Sequence, residues 1–109
     1  MNCLADGPLQ YANISANQTE FGASVDQSVV FLVNVEALIE PDLMWYSPEK
    51  KPLSNGTKFV ISNNKGRAWL QINDINRKDF GAYTLNSTVK NQTQTIKFNL
   101  KLEGEYCDC

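Results

Sequence analysis

Apolar and polar residues alternate over short stretches of the chain, which is the pattern of β-strands with one buried face. In VVFLVNV the apolar side chains of Val29, Phe31, Val33 and Val35 recur at every second residue. Five later stretches repeat this period: LMWYS, KFVIS, WLQIN, AYTLNSTV and TIKFNLKL. No window carries a long 3.6-residue apolar stripe. The pattern therefore predicts an all-β protein.

Residues typical of turns separate these stretches, and their spacing indicates the architecture. They are Pro41-Asp42, the segments 48–52 and 63–66, Asn55-Gly56 and the segment 90–92. Short alternating strands at intervals of about ten residues predict a sandwich of two packed sheets. The first twenty residues are less regular. There we expect Leu9, Tyr11 and Ile14 to begin an edge strand, which the segment 21–25 continues after a break.

Charge and hydropathy exclude two classes of partner. The net charge is −2 and the lysines are scattered, whereas a nucleic-acid binder needs a basic stripe. The longest apolar run is Val29 to Val33, far short of the roughly 18 residues that cross a bilayer. We expect no nucleic-acid partner, and membrane attachment only through a segment outside this chain.

Five N-x-[S/T] acceptors for N-glycosylation are the strongest indication of compartment. They are Asn13, Asn17, Asn55, Asn86 and Asn91. One such tripeptide means little because Asn and Thr are abundant here. Five in 109 residues favour a secreted or cell-surface glycoprotein carrying N-glycans.

The sequence offers little for catalysis or for a bound cofactor. It contains no histidine, which removes the commonest general base and most zinc sites. The acidic residues Glu36, Glu40 and Asp42 in one loop are a calcium candidate, but a solvated loop explains them better. We predict no enzyme activity, no metal site and no cofactor.

The three cysteines all lie near the chain ends, at Cys3, Cys107 and Cys109. Because their number is odd, at least one thiol is free or pairs outside this chain. Two thiols one residue apart make a weak metal motif. A bridge from Cys3 to the C-terminal pair and pairing with a following module or another chain both remain open.

The stretch LQINDINRKDFGAYTL resembles the passage between the fifth and sixth strands of immunoglobulin-superfamily domains. The shared residues are Leu70, Ile72, Ile75, Asp79, Gly81 and Tyr83. Upstream, VNVEALIEPDLMW resembles the passage that ends in the conserved core tryptophan, here Trp45. The resemblance covers about residues 13–102 and implies an immunoglobulin-like Greek-key sandwich of two antiparallel sheets with about 7–8 strands.

The resemblance also divides the chain and assigns structural roles. It implies a single domain over 1–109, with a core at about 13–102, an N-terminal extension at 1–12 and a tail at 103–109 toward a following module. Trp45 is implied to be the buried indole, and Tyr83 the corner tyrosine whose hydroxyl bonds to the backbone near Asp79.

The chain departs from the family at the cysteine pair that normally joins the two sheets. Val33 and Leu85 occupy those places. A missing bridge forfeits about 2–4 kcal/mol of restraint on the unfolded chain. Burying a Val or Leu side chain contributes about 1.5–3 kcal/mol relative to exposure. Because these quantities are similar, we expect the sandwich to survive if both side chains pack beside Trp45.

The strand alternation also assigns outward-facing apolar residues on both sheets. On the sheet holding VVFLVNV and WLQIN they are Val30, Leu32 and Trp69, which form either a recognition patch or a surface covered by the N-terminal segment through Leu4, Leu9 or Tyr11. On the other sheet Met44 and Tyr46 suit a protein interface. A glycan on Asn86 would shield that second sheet and shift recognition toward the first sheet or the loops.

These features predict an extracellular protein-recognition module of a cell-surface receptor or adhesion protein. Its partner is expected to be another cell-surface protein or a second copy, including homophilic self/non-self recognition. Disulfide-free relatives leave two alternatives open: a spacer module of the sarcomeric type, similar to those of titin, and a growth-factor-binding domain of a receptor tyrosine kinase. The density of glycosylation acceptors disfavours the spacer.

Overall fold

A computed structural model describes residues 11–64 and 66–103. It contains eight β-strands and one short 3₁₀-helix in the described part of the chain. The strands are β1 (Ala12–Ser15), β2 (Glu20–Ala23), β3 (Val29–Ala37), β4 (Asp42–Tyr46), β5 (Phe59–Asn64), β6 (Arg67–Ile72), β7 (Gly81–Val89) and β8 (Gln92–Leu102). The helix spans Arg77–Asp79, between β6 and β7.

The strands form two four-stranded sheets, which confirms the prediction of an all-β sandwich. Sheet A has the order β1-β3-β6-β5, and sheet B has the order β2-β8-β7-β4. Strands distant in sequence are therefore neighbours in each sheet, as in a Greek key. The alternation of apolar residues that predicted β3 matches the burial of its side chains. Phe31, Val33 and Val35 are buried, whereas Val30 and Leu32 are exposed.

The N-terminal strands differ from the prediction in two ways. β2 does not continue β1 in one sheet, because β1 pairs with β3 in sheet A while β2 pairs with β8 in sheet B. The β2–β8 pair is parallel, so sheet B is not purely antiparallel. Segment 16–19 crosses from one sheet to the other, and each short strand then lies at a different sheet edge.

Glutamine side chains of β8 form hydrogen bonds with backbone groups at the outer edge of β1. The Gln94 carboxamide accepts from the Ile14 amide at 2.9 Å and donates to the Ile14 carbonyl at 2.8 Å. The Gln92 side chain accepts from the Tyr11 amide at 3.1 Å. These bonds join the two sheets and leave less free main chain for pairing with another strand.

An aromatic cluster fills the space between the sheets. Phe31 of sheet A stacks on Phe98 of sheet B, with ring centroids 4.9 Å apart and an interplanar angle of 7°. Trp45 lies 5.5 Å from Phe98, and Tyr83 lies 5.6 Å from Phe31. Aromatic pairs of this kind contribute about 0.5–1.5 kcal/mol beyond the area they bury.

The places of the family's cysteine pair are apolar and fully buried. Val33 on β3 and Leu85 on β7 are both 0% exposed and belong to one core cluster with Trp45 and Leu70. Leu85 is the cross-strand partner of Trp45 in sheet B. The two sheets are thus joined here by packed side chains.

The turn between β6 and β7 is fixed by polar contacts around Asp79. Its carboxylate accepts from the Asn76 amide at 2.8 Å and from the Lys58 ammonium at 2.6 Å. The Tyr83 hydroxyl donates a 2.6 Å bond to the Asp79 carbonyl. Gly81 has φ +142°, and a Cβ there would lie 2.8 Å from Pro48, so the site requires glycine.

Three of the expectations above fall on residues 1–10 and 104–109. They concern Leu4 and Leu9 as a cover for sheet A, the pairing of the three cysteines, and the tail beyond Glu103. All lie outside the described residues. Within the described part of the chain, no helix is long and apolar enough to cross a membrane.

We predict that Leu85→Ala lowers the free energy of unfolding by about 2–5 kcal/mol, because it opens a cavity at a fully buried site. Urea denaturation monitored by tryptophan fluorescence measures this. The matched control is Leu38→Ala, since Leu38 is 73% exposed and should change the value by only about 0.5 kcal/mol or less. Equal losses for the two variants would contradict the packing described here.

We predict a specific loss of stability at alkaline pH that depends on Tyr83. Burial raises the pKa of Tyr83, and the charge of Asp79 raises it further. The folded state therefore holds the phenolic proton above the usual tyrosine pKa of about 10, whereas the unfolded chain releases it. The Tyr83 contribution is complete below about pH 10 and is lost as the pH rises above it.

Urea unfolding from pH 9 to 11 measures this effect in the parent protein and in Tyr83→Phe. Above pH 10 the free energy of unfolding of the parent should fall more steeply than that of Tyr83→Phe, by up to about 1.4 kcal/mol per pH unit. Tyr46→Phe is the control and should keep the parent slope. Parallel curves for the parent and Tyr83→Phe would refute this role.

Candidate recognition surfaces

Large apolar side chains reach solvent at three places that suit a partner. The first is the outer face of sheet A, with Val30, Leu32 and Trp69. The second is the outer face of sheet B, with Met44 and Tyr46. The third was not singled out from the sequence: the loop between β3 and β4, with Leu38 and Ile39.

The sheet A face carries an amphipathic groove. Leu32 is 51% exposed and Val30 38% exposed, while Trp69, the cross-strand partner of Leu32, is half-buried. The groove has a volume of about 220 Å³ and is lined by Val30, Leu32 and Phe21 together with polar side chains, including Asn17, Asn34 and Arg67. We call it the sheet A groove.

The groove borders a strand edge that lacks a neighbouring strand in the described structure. β1 pairs with β3 only from Asn34 to Ala37, because the chain leaves for sheet B after Ser15. The edge of β3 from Val29 to Val33 is therefore open on that side. The Val35 amide donates to Gly66 on the β6 side at 3.1 Å. Successive backbone amides along a strand point to opposite edges. The amides of Val30 and Leu32 are an odd number of residues from Val35, so they point away from β6 and toward the open edge.

Tyr11 does not cover this groove, although the sequence left that possibility open. The Tyr11 carbonyl accepts from the amides of Leu38 at 2.7 Å and Ile39 at 3.3 Å. Leu38 follows the far end of β3, six residues beyond Leu32. Tyr11 thus lies at the opposite end of β3 from Val30.

The sheet B face is built around Asn86. Asn86 is the cross-strand partner of Met44 on one side and of Thr95 on the other, and its side-chain oxygen accepts from the Thr95 hydroxyl at 2.9 Å. Met44 is 43% exposed. Tyr46, Lys50, Thr84 and Asn86 line a shallow hollow of about 270 Å³. An Asn86 glycan would start at the centre of this face.

The β3–β4 loop presents two adjacent aliphatic side chains beyond the end of the sandwich. Leu38 is 73% exposed, the most exposed of the large apolar side chains in the described structure. The Tyr11 carbonyl fixes the loop backbone through two amides. The sequence signal was the pair Leu38-Ile39 between Glu36 and Glu40, which breaks the alternation of β3.

The five predicted glycosylation acceptors all lie at the surface. Four are exposed, and Asn86 is half-buried. Asn13 is on β1, Asn17 is in the crossing segment, Asn55 precedes β5, and Asn91 is in the β7–β8 turn. Among residues 11–64 and 66–103, no three acidic or cysteine side chains group as metal ligands.

Two packed four-stranded sheets, a buried Trp45 between them and a tyrosine corner at Tyr83 define an immunoglobulin-type sandwich. A family model described as the immunoglobulin I-set domain matches residues 12–102. The chain belongs to this family.

Solved structures agree with this assignment. Titin domain M7 is 23% identical, with a TM-score of 0.77, covering 90% of this chain and 100% of that one. The twitchin kinase region from C. elegans is 20% identical, with a TM-score of 0.76, and the match covers 84% of this chain and 16% of that one. A chain in the complex of Dpr2 Ig1-Ig2 with DIP-Theta Ig1-Ig3 is 20% identical, with a TM-score of 0.77. The match covers 85% of this chain and 32% of that one.

These similarities establish the fold and not the role, since titin and twitchin on one side and the Dpr2–DIP-Theta complex on the other share it. The chain spans only a fraction of the twitchin and Dpr2–DIP-Theta chains. Comparison with curated proteins gives no significant match.

Proposed function

We propose that this I-set domain is a protein-recognition module of an extracellular or cell-surface protein, without enzymatic activity. The observation that carries the proposal is the set of five glycosylation acceptors, every one of which has its side chain at the surface. A glycan at any of them would begin at the protein surface and displace no core side chain. This placement supports glycosylation at all five sites.

The β3–β4 loop is the contact surface we favour. Its most prominent side chain, Leu38, is 73% exposed, and covering an apolar group of this size with a partner lowers the free energy. The loop backbone is already held by Tyr11, so binding would lose little conformational entropy. Glu36, Glu40 and Asp42 flank Leu38 and Ile39 in the sequence and are exposed, which suits a partner with an apolar pocket and a basic rim.

The second candidate function is a spacer in a chain of similar domains. The missing bridge between the sheets and the structural likeness to titin domain M7 favour it. A cytosolic spacer has no use for glycosylation acceptors, whereas an extracellular module does. The state of the five asparagines therefore separates the two candidates.

We predict that secretion of the domain from a eukaryotic host yields folded protein with glycans at most of the five sites, measured by glycopeptide mass spectrometry. Occupancy of Asn86 would also exclude Met44 and Tyr46 as a contact surface, and an unmodified Asn86 would restore them. Secreted protein without any added glycan mass would favour the spacer instead.

The glycosylated domain is then tested for recognition, with a second copy as the probe, by analytical ultracentrifugation. If recognition is homophilic through the loop, Leu38→Asp should weaken self-association by about tenfold or more. The matched control is Val25→Asp, at an exposed aliphatic position before β3, which should leave self-association unchanged. A strictly monomeric protein would reject homophilic binding and leave a different surface protein as the partner.

A further inference from the structure

We propose that the glycan attached to Asn17 lies in the sheet A groove, so that carbohydrate of this chain covers Val30, Leu32 and the open edge of β3. The inference rests on the proposed function, because N-glycosylation takes place in the secretory pathway. It assigns an occupant to an apolar surface that the described protein leaves uncovered.

The position of Asn17 is the first argument. Asn17 belongs to the tripeptide Asn17-Gln18-Thr19 in the segment that crosses from sheet A to sheet B. Its exposed side chain lines the same groove as Val30 and Leu32. A sugar joined to the Asn17 side-chain nitrogen therefore begins at the rim of the groove.

The composition of the groove is the second argument. Val30, Leu32 and Phe21 supply its apolar surface, while Gln18, Asn34 and Arg67 supply its polar lining. An N-acetylglucosamine ring has an apolar C–H face and a periphery of hydroxyl and acetamide groups. The Arg67 guanidinium donates hydrogen bonds and accepts none, which suits the sugar oxygens. A purely apolar protein anchor would leave these polar groups unpaired.

The open strand edge is the third argument. The amides of Val30 and Leu32 point toward an edge that carries no strand in the described structure, beside exposed aliphatic side chains. Such an edge can pair with another chain and lead to aggregation unless it is blocked. Along the neighbouring β1 segment, the side chains of Gln92 and Gln94 accept hydrogen bonds from the backbone amides of Tyr11 and Ile14. A glycan on Asn17 would protect the edge of β3, for which residues 11–64 and 66–103 provide no such side-chain cover.

None of the other four acceptors lines this groove. Asn86 lies on sheet B, and Asn55 and Asn91 lie in loops beyond strand ends. Asn13 lines a different hollow, with Tyr11 and Leu38. Asn55→Gln is therefore a matched control for Asn17→Gln, because it removes one exposed acceptor away from the groove.

The experiment compares the secreted glycosylated protein with its Asn17→Gln and Asn55→Gln variants. Glycopeptide mass spectrometry gives the occupancy of each site, and amide hydrogen exchange gives the protection of residues 30–34. We expect Asn17 to be occupied, and exchange in this segment to be about fivefold faster in Asn17→Gln but unchanged in Asn55→Gln. Enzymatic removal of the glycan from the folded parent should reproduce the Asn17→Gln result, which controls for misfolding of the variant.

Trimming the glycans to a single N-acetylglucosamine should preserve the protection, because the first sugar is the one beside Leu32. Ultracentrifugation should show more self-association of Asn17→Gln than of the parent, and adding Leu32→Lys should reverse it by placing a charge beside the open edge.

Equal exchange rates with and without an occupied Asn17 would overturn the inference. An unmodified Asn17 beside modified acceptors elsewhere would also overturn it, while leaving the proposed function intact. The absence of a glycan at every site would overturn both.

Discussion

The core between the two sheets is apolar, and the rest of the domain depends on its packing. Phe31 of sheet A stacks on Phe98 of sheet B, and Trp45 packs against Phe98. Val33 and Leu85, fully buried, stand where most relatives in the superfamily carry a disulfide. A covalent bridge restrains the unfolded chain, whereas packed side chains stabilise the folded state directly. The sandwich can therefore form without sulfur, provided that no cavity opens at these positions.

The crossing of the N-terminal chain between the sheets shapes the surface. Because β1 pairs with only four residues of β3 and β2 then joins β8, each sheet gains a short edge strand. In the described part of the chain, one stretch of the β3 edge stays open as a result, beside the exposed Leu32. Asn17 occurs within the crossing segment itself. The same crossing segment therefore leaves the groove exposed and places a glycosylation acceptor beside it.

The sequence was sufficient for the parts of the fold that local periodicity determines. The strands from β3 to β8 were predicted because inward side chains such as Phe31 and Leu85 recur at every second residue. The separation of β1 from β2 was not, since pairing with different sheets is a long-range property that four-residue strands do not encode locally. The exposure of Leu38 was missed for a similar reason: hydropathy alone does not distinguish a loop tip from a buried strand end. Nor does the sequence show that Asn17 lies beside Leu32, fifteen residues away.

The most direct test of the central claim is the free energy of unfolding of a variant in which Cys3, Cys107 and Cys109 are all replaced by serine. The domain would then contain no sulfur bridge of any kind, within the chain or to another. If apolar packing between the sheets holds the fold, urea unfolding should remain cooperative, with a free energy within about 1 kcal/mol of the parent. Loss of cooperative unfolding, or a decrease of about 3 kcal/mol or more, would show that disulfides at the chain ends hold the sandwich together.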